Sequence, residues 1–249
     1  MEQFNILRFT EIQSTNSYAL KHLGSLADRQ IIVAERQTRG YGRLGRRWVS
    51  RNPHNIYMSI ILKPAVPSDI PMAFTGLTQF MSVTLCKLLL EYGISASIKW
   101  PNDVRVGGAK IAGLLGEARF QGDRFLGYVL GCGINLNMSP EDLASVDQRA
   151  TALNLLVGKA VDRDRFLHAL LQKFFIGYEG FLQGGFPFIQ STYVESCDFL
   201  GKQVVVKSVD GEYHGTARSF TERGELILEG ADGEQHILRS GDVETMRFE

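Results

Sequence analysis

Residues 99–137 read KWPNDVRVGGAKIAGLLGEARFQGDRFLGYVLGCGINLN, and this stretch decides the fold. Three apolar runs, 104–106, 110–120 and 125–137, are separated by Gly107-Gly108 and by the turn QGDR at 121–124. Gly-containing turns between runs rich in Val, Leu and Ile mark antiparallel hairpins. The stretch therefore predicts a three-stranded meander. A short strand at 97–100 enters it through the corner Pro101-Asn102-Asp103, where proline fixes φ and the Asn and Asp side chains bond their own backbone.

Working outward, 4–10 (FNILRFT), 30–36 (QIIVAER) and 55–63 read as strands. Ser14-Thr15-Asn16 caps a helix that ends near Gly24. Pro71 fits the first turn of a long helix running to Glu91, with Gly93 placed to end it. Between 162 and 183, Phe166, Leu167, Leu170, Leu171, Phe174 and Phe175 recur at helical spacing and form a core-facing stripe. Beyond about Leu200 the texture changes. GKQVVVKS, GEYHGTARSF, GELILEG, EQHILRS and DVETMRF are five short strand candidates, with glycines marking the turns, which is the pattern of a small β-barrel.

The 249 residues are 44% apolar and 22% charged, a composition that supports a real core rather than disorder. Lys plus Arg is 27 and Asp plus Glu is 27, so no global field draws the chain to nucleic acid or an anionic membrane. The most apolar stretch, 72–90, is interrupted by Thr75, Thr78, Gln79, Ser82, Thr84 and Lys87 and reads as a core helix, not a membrane span. The opening MEQFNILRFT has no secretory pattern, and Cys86, Cys132 and Cys197 form an odd set without C-x-x-C spacing. A cytoplasmic protein with buried thiols is expected. The five histidines make no metal-ligand motif, so a structural zinc site is not expected.

Four stretches could carry chemistry. In QTRGYGRLGRRW (37–48), Gly40, Gly42 and Gly45 satisfy G-x-G-x-x-G. A dinucleotide site needs a helix starting within the glycines and an acidic residue about 20 positions on. Here RRWVSRNPHN follows, and the later region reads SIILKP, so the context fails. What remains is a Gly-rich loop with Arg36, Arg39, Arg43, Arg46, Arg47 and Arg51. Guanidinium forks and freed backbone N–H groups suit a phosphate or carboxylate; a solvated basic loop is the plainer reading. In KWPND followed by KIAGLLGE, Lys110 opens an apolar strand and must face a cleft or water. If it faces a cleft, Lys110 and Asp103 share one hairpin and one site, the cation for an anionic group, the carboxylate for Mg²⁺ or a proton. In GCGINLN (131–137), glycines let a backbone or flat group approach the strand, though tight packing explains them as well. Ser14-Thr15-Asn16 serves as a helix cap with no ligand, or equally offers hydrogen bonds to a polar head group.

Together, in this order, STN, QTRGYGRLGRRW, KWPND, KIAGLLGE and GCGINLN resemble the biotin–protein ligases, over essentially the whole chain. The resemblance implies an α+β fold: a mixed, mostly antiparallel sheet flanked by helices (1–198), then a small SH3-like β-barrel (199–249). It implies a two-step activity, with biotin and ATP as substrates and Mg²⁺ as cofactor. Biotin is activated as biotinyl-5′-AMP and then joined to a lysine of a biotin carboxyl carrier protein. By the same resemblance Lys110, Arg43 and Asp103 are catalytic, with Asp103 a metal or proton-transfer group. Biotin falls to Ser14, Thr15, Asn16, Gln37, Tyr41, Gly42, Arg43, Lys110, Gly113, Leu115 and Gly131. ATP and the adenylate fall to Arg43, Arg46, Trp48, Asn102, Lys110, Gly133 and Asn135. A homodimer is implied; specific DNA and membranes are not partners.

Two departures stand out. Tyr41 replaces the first arginine of the usual G-R-G-R loop, which predicts that Arg39 or Arg46 takes over its phosphate contacts. The chain opens on the first strand of the catalytic domain, so a ligase without repressor activity is expected. A lipoate or octanoate ligase or transferase of similar fold is the nearest rival. A non-catalytic nucleic-acid-binding protein is the other, disfavoured because 200–249 carries six basic residues against ten acidic ones.

Overall fold

The computed structural model describes residues 4–64 and 76–245. β1 (Ile6–Ile12) passes through α1 (Thr15–Lys21) to β2 (Ile31–Gln37), which lies parallel to it. Ser14 caps α1, its hydroxyl accepting from the Ser17 amide at 3.4 Å. β3 (Ile56–Leu62) returns antiparallel, and α2 (Leu77–Glu91) follows. The expected helix start at Pro71 lies outside the described residues. β4 (Ser97–Lys99), β5 (Asp103–Val106), β6 (Ala109–Gln121) and β7 (Arg124–Ile134) then form the antiparallel meander and its entry strand. One seven-stranded sheet results, in the order β1-β2-β3-β7-β6-β5-β4. Only β1 and β2 pair in parallel, so the sheet is mixed and mostly antiparallel, as the motifs implied.

Three short helices, α3 (Pro140–Ala144), α4 (Leu153–Val157) and α6 (Gln190–Ser196), were not anticipated; between them runs the anticipated α5 (Arg163–Gly184). On α5, Phe166, Leu167, Leu170, Leu171 and Phe174 are fully buried, whereas Phe175 packs at the margin.

The register sorts the central strands into two faces. Cys132 pairs with Met58 and Leu114, and these residues, with Ile60, Leu130 and Ile134, join the main core with side chains of α2 and α5. One residue along, Gly133 pairs with Tyr57 and Gly113, and Gly131 with Ser59 and Leu115. This second face is covered at one end by α1, where Ala19, Leu23, Ile32, Ile61 and Val129 form a small separate core. Among the described residues, loops rather than α-helices border its other end.

β8 (Gln203–Ser208), β9 (Gly211–Phe220), β10 (Leu226–Glu229), β11 (Gln235–Leu238) and β12 (Asp242–Thr245) realise all five C-terminal strands; residues 246–248 of the last run lie outside the described residues. They form one antiparallel sheet in the order β11-β10-β9-β8-β12. β11 and β12 stand at opposite edges, so the sheet is open and not a closed barrel. Closure is unnecessary because Val204, Val206, Ala217, Leu226 and Leu228 bury their side chains in the core shared with the larger domain. At the joint, the Gly224 carbonyl accepts from Trp100 Nε1 at 3.2 Å and Gln79 Nε2 at 2.9 Å.

Candidate functional site

The loop-bordered end of the glycine-bearing face opens into a cavity of about 470 Å³. The residues assigned to biotin, ATP and catalysis all border it: Ser14, Thr15, Asn16, Gln37, Tyr41, Gly42, Arg43, Arg46, Trp48, Asn102, Asp103, Lys110, Gly113, Leu115, Gly131, Gly133 and Asn135; of the other loop arginines Arg47 borders it as well, whereas Arg36, Arg39 and Arg51 do not line it. They converge because period-2 alternation points Gly113, Leu115, Gly131 and Gly133 to one side, while three loops close over them.

At one end Gln37, the last residue of β2, accepts through Oε1 from the Thr15 amide (2.8 Å) and hydroxyl (3.2 Å). Its Nε2 donates to Ser50 at 2.9 Å, so the amide orientation is fixed. Ser14 and Thr15 are 4% exposed, buried at the helix N-terminus yet bordering the cavity.

At the centre, Lys110 Nζ lies 2.7 Å from Asp103 Oδ1, both side chains 13–14% exposed. The hairpin of β5 and β6 carries both, which is the cleft-facing alternative for Lys110. The ammonium also sits 5.2 Å from the centroid of the Trp48 ring, a cation–π contact. That ring rests on the strands where two glycines face each other. A Cβ at Gly133 would meet it at 2.4 Å, and one at Gly113 at 2.9 Å. At Gly131 a Cβ would meet the Asn16 amide at 2.3 Å. The flat groups that these glycines admit are thus the chain's own Trp48 and Asn16. Trp48 Nε1 is buried without a hydrogen-bond partner.

The Gly/Arg segment folds as a miniature hairpin. Trp48 N donates to Gly40 O at 2.9 Å and Gly42 N to Arg46 O at 2.8 Å, around a tight turn at Arg43–Gly45. Arg43 reaches the C-terminal domain, donating to Gly241 O at 2.9 Å and to Asn102 Oδ1 at 3.4 Å; burial lowers its pKa. Arg46 donates to Asp242 Oδ2 at 2.8 Å, and Lys99 pairs with the other oxygen. Burial alone would raise the Asp242 carboxyl, but hydrogen bonds from Lys99 and Arg46 hold it at about 2. Tyr41 turns away from these cations: its hydroxyl donates to Glu117 Oε2 at 2.9 Å. Of the two arginines expected to stand in for one at 41, Arg46 borders the cavity and is engaged by Asp242, and Arg39 is not part of the lining. Asn102 and Asn135 hold the walls, Asn102 Nδ2 donating to Leu114 O at 2.7 Å and Asn135 Nδ2 to Thr151 O at 3.1 Å.

Sequence reasoning missed Lys99, Arg105, Glu117, the segment 146–150 and Gly241-Asp242. Glu117 had a legible signal, since it continues the phase of Gly113 and Leu115. The segment 146–150 had none; it walls the cavity because Lys110 N donates to Arg149 O and Thr151 N to Lys110 O, each at 2.9 Å. Among the described residues no three His, Cys, Asp or Glu side chains gather to hold a metal ion. Asp103 is a single carboxylate already engaged by Lys110, so these residues do not form a protein cage for Mg²⁺.

The cavity sets a Gly/Arg loop over a lysine–aspartate pair and an indole, an arrangement with cations placed to receive an anionic ligand, and comparison with known proteins gives the chain a family. The model of the biotin/lipoate A/B protein ligase family matches residues 8–135, and that of the biotin protein ligase C-terminal domain matches 199–246. The bifunctional ligase/repressor BirA of Bacillus subtilis is 32% identical over 86% of this chain, which spans 65% of that relative's length. The biotin–[acetyl-CoA-carboxylase] ligase of Paracoccus denitrificans is 32% identical, over 90% of this chain and 94% of its own. The Aquifex aeolicus biotin protein ligase, solved with biotin and ATP, superposes with a TM-score of 0.81 at 25% identity, covering 97% of this chain and 99% of its own. The chain belongs to the biotin/lipoate A/B protein ligase family and, by its C-terminal domain and relatives, to the biotin protein ligases within it.

Proposed function

We propose that this protein is an ATP-dependent biotin–protein ligase. It activates biotin as biotinyl-5′-AMP and transfers the biotinyl group to a lysine of a biotin carboxyl carrier domain. The observation that carries this reading is the Lys110–Asp103 pair set against Trp48, between the Gln37 corner and the Arg43 loop. In the first step a biotin carboxylate oxygen attacks the α-phosphorus of ATP and pyrophosphate leaves. Both reactants are anionic, so the step needs fixed cations between them, and Lys110 and Arg43 supply these. In the second step a carrier lysine nitrogen attacks the acyl carbon, loses a proton, and AMP leaves. Lys110 neutralises the charge developing in both steps. The Ser14, Thr15 and Gln37 corner holds the ureido ring, and Trp48 and Asn135 border the adenine. The Gly/Arg loop shields the anhydride from water. Mg²⁺, if it accompanies ATP, would supply charge neutralisation of the phosphates, and no step runs through it.

In this reading 1–198 is the catalytic domain and 199–249 a smaller domain that seats the loop. We further propose a cytoplasmic homodimer joined through the sheet at an exposed edge strand. Among the described residues no helix is long and apolar enough to cross a membrane. The test is ATP–pyrophosphate exchange with biotin, lipoate, octanoate or no acid. Biotin-dependent exchange that disappears in Lys110→Ala supports the proposal; exchange with lipoate or octanoate instead moves the substrate within the family. No exchange with any acid sinks it.

A further inference from the structure

Glu117, the last residue of KIAGLLGE, takes no part in the chemistry above, yet it joins two separate pieces of the site. Its Oε2 accepts from Asn16 Nδ2 at 2.8 Å and from the Tyr41 hydroxyl at 2.9 Å. Asn16 belongs to the first turn of α1, beside Ser14 and Thr15; Tyr41 belongs to the Gly/Arg loop, where it bridges to Arg47. A carboxylate only accepts, so it fixes which way the Asn16 amide points. The other end of that amide, Oδ1, accepts from Ser59 Oγ at 2.5 Å, and Nδ2 also reaches Leu115 O at 3.4 Å. Asn16 is 5% exposed and lies directly on Gly131, so it has no room to turn.

We propose that Glu117 is a positioning residue that closes the Gly/Arg loop over the biotin end through Tyr41 and locks the ring-binding corner through Asn16. Loop closure and corner shape are then set by one carboxylate. Tyrosine at 41 is a working part of this latch, not a lost phosphate contact. The inference rests on the ligase reading for what is enclosed, but the latch itself is a property of the loop.

The experiment compares the full chain with Tyr41→Phe, Glu117→Gln, the double variant and Tyr41→Arg. Biotin KM, exchange kcat and the rate of loss of prebound biotinyl-5′-AMP are measured for each. Tyr41→Phe and Glu117→Gln are expected to raise the KM and the loss rate about tenfold, with kcat lowered about threefold or less. The double variant is expected within about twofold of the worse single variant, because both remove one link. Tyr41→Arg keeps a donor facing the carboxylate and is expected to restore retention to within about threefold of the parent. Retention in Tyr41→Phe within about twofold of the parent overturns the latch, as does a double variant whose loss is the product of the two singles. If the parent shows no biotin-dependent exchange, the ligase reading fails and the latch is judged by limited trypsin digestion at 39–51. Cleavage several times faster in Tyr41→Phe supports it, and equal cleavage overturns it.

Discussion

The two faces of the central sheet are made from the same strands and could hardly differ more. On one, Met58, Leu114, Leu130, Cys132 and Ile134 pack with side chains of α2 and α5 in the main core. On the other, one residue out of phase, Gly113, Gly131 and Gly133 carry nothing, and Trp48, Asn16 and Lys110 lie over them. The first face supplies rigidity, and that rigidity lets the second hold a cavity lined with polar groups. A charge pair such as Lys110–Asp103 contributes little to stability once its desolvation is counted. The comparison thus predicts that substitutions on the two faces separate: activity from one, stability from the other.

The largest effect expected is on the cavity side. Lys110→Ala should lower biotin-dependent pyrophosphate exchange by roughly 10²–10³-fold, the scale of one lost transition-state cation. Circular dichroism should show the fold retained; a variant that exchanges normally would break the contrast. On the core side, Leu130→Ala, at a fully buried residue outside the cavity lining, should cost about 2–5 kcal/mol by denaturant titration, with exchange per folded molecule near the parent's. Between these lies Gly133→Ala, whose new Cβ would meet the Trp48 ring at 2.4 Å. Displacing the indole should raise the KM for ATP about tenfold, at a stability cost of about 1–3 kcal/mol. Unchanged ATP kinetics would show that the ring does not border the nucleotide.

The smallest effects concern the loop's seat on the C-terminal domain. The Asp242 carboxyl is held at about 2 from an ordinary 3.8, so ionisation favours the folded state. That contribution is complete above about pH 4 and is lost as pH falls towards 2. Urea midpoints measured between pH 5 and 2 should therefore fall less steeply in Asp242→Asn than in the parent. Parallel profiles would remove Asp242 from the account. Biotinyl-adenylate should also slow trypsin cleavage at 39–51, since a loop with three glycines and several arginines has little apolar area of its own to anchor it.

Much of this was legible beforehand. The meander, the α5 stripe and the five C-terminal strands follow from period and turn chemistry, which are local. α3 went unread although Ser139 and Asp142 form a capping box, because five residues give too short a period to detect. Closure of the C-terminal strands into a barrel was an over-reading. Alternation shows that a sheet has an apolar face; it does not show whether that face meets its own far edge or another domain.

The site divides in the same way. Each candidate stretch had a plain alternative, a solvated basic loop for the arginines and tight packing for the strand glycines, and only their occurrence together, in that order, marked the site residues in the sequence. Which groups meet was decided only by the fold. Glu117 finds Asn16 across 101 residues and Tyr41 across 76; Arg46 finds Asp242 across 196. A carboxylate's partner depends on which strands become neighbours and in what register. That is settled by burying the core on the opposite face, not by any preference of the residues that meet.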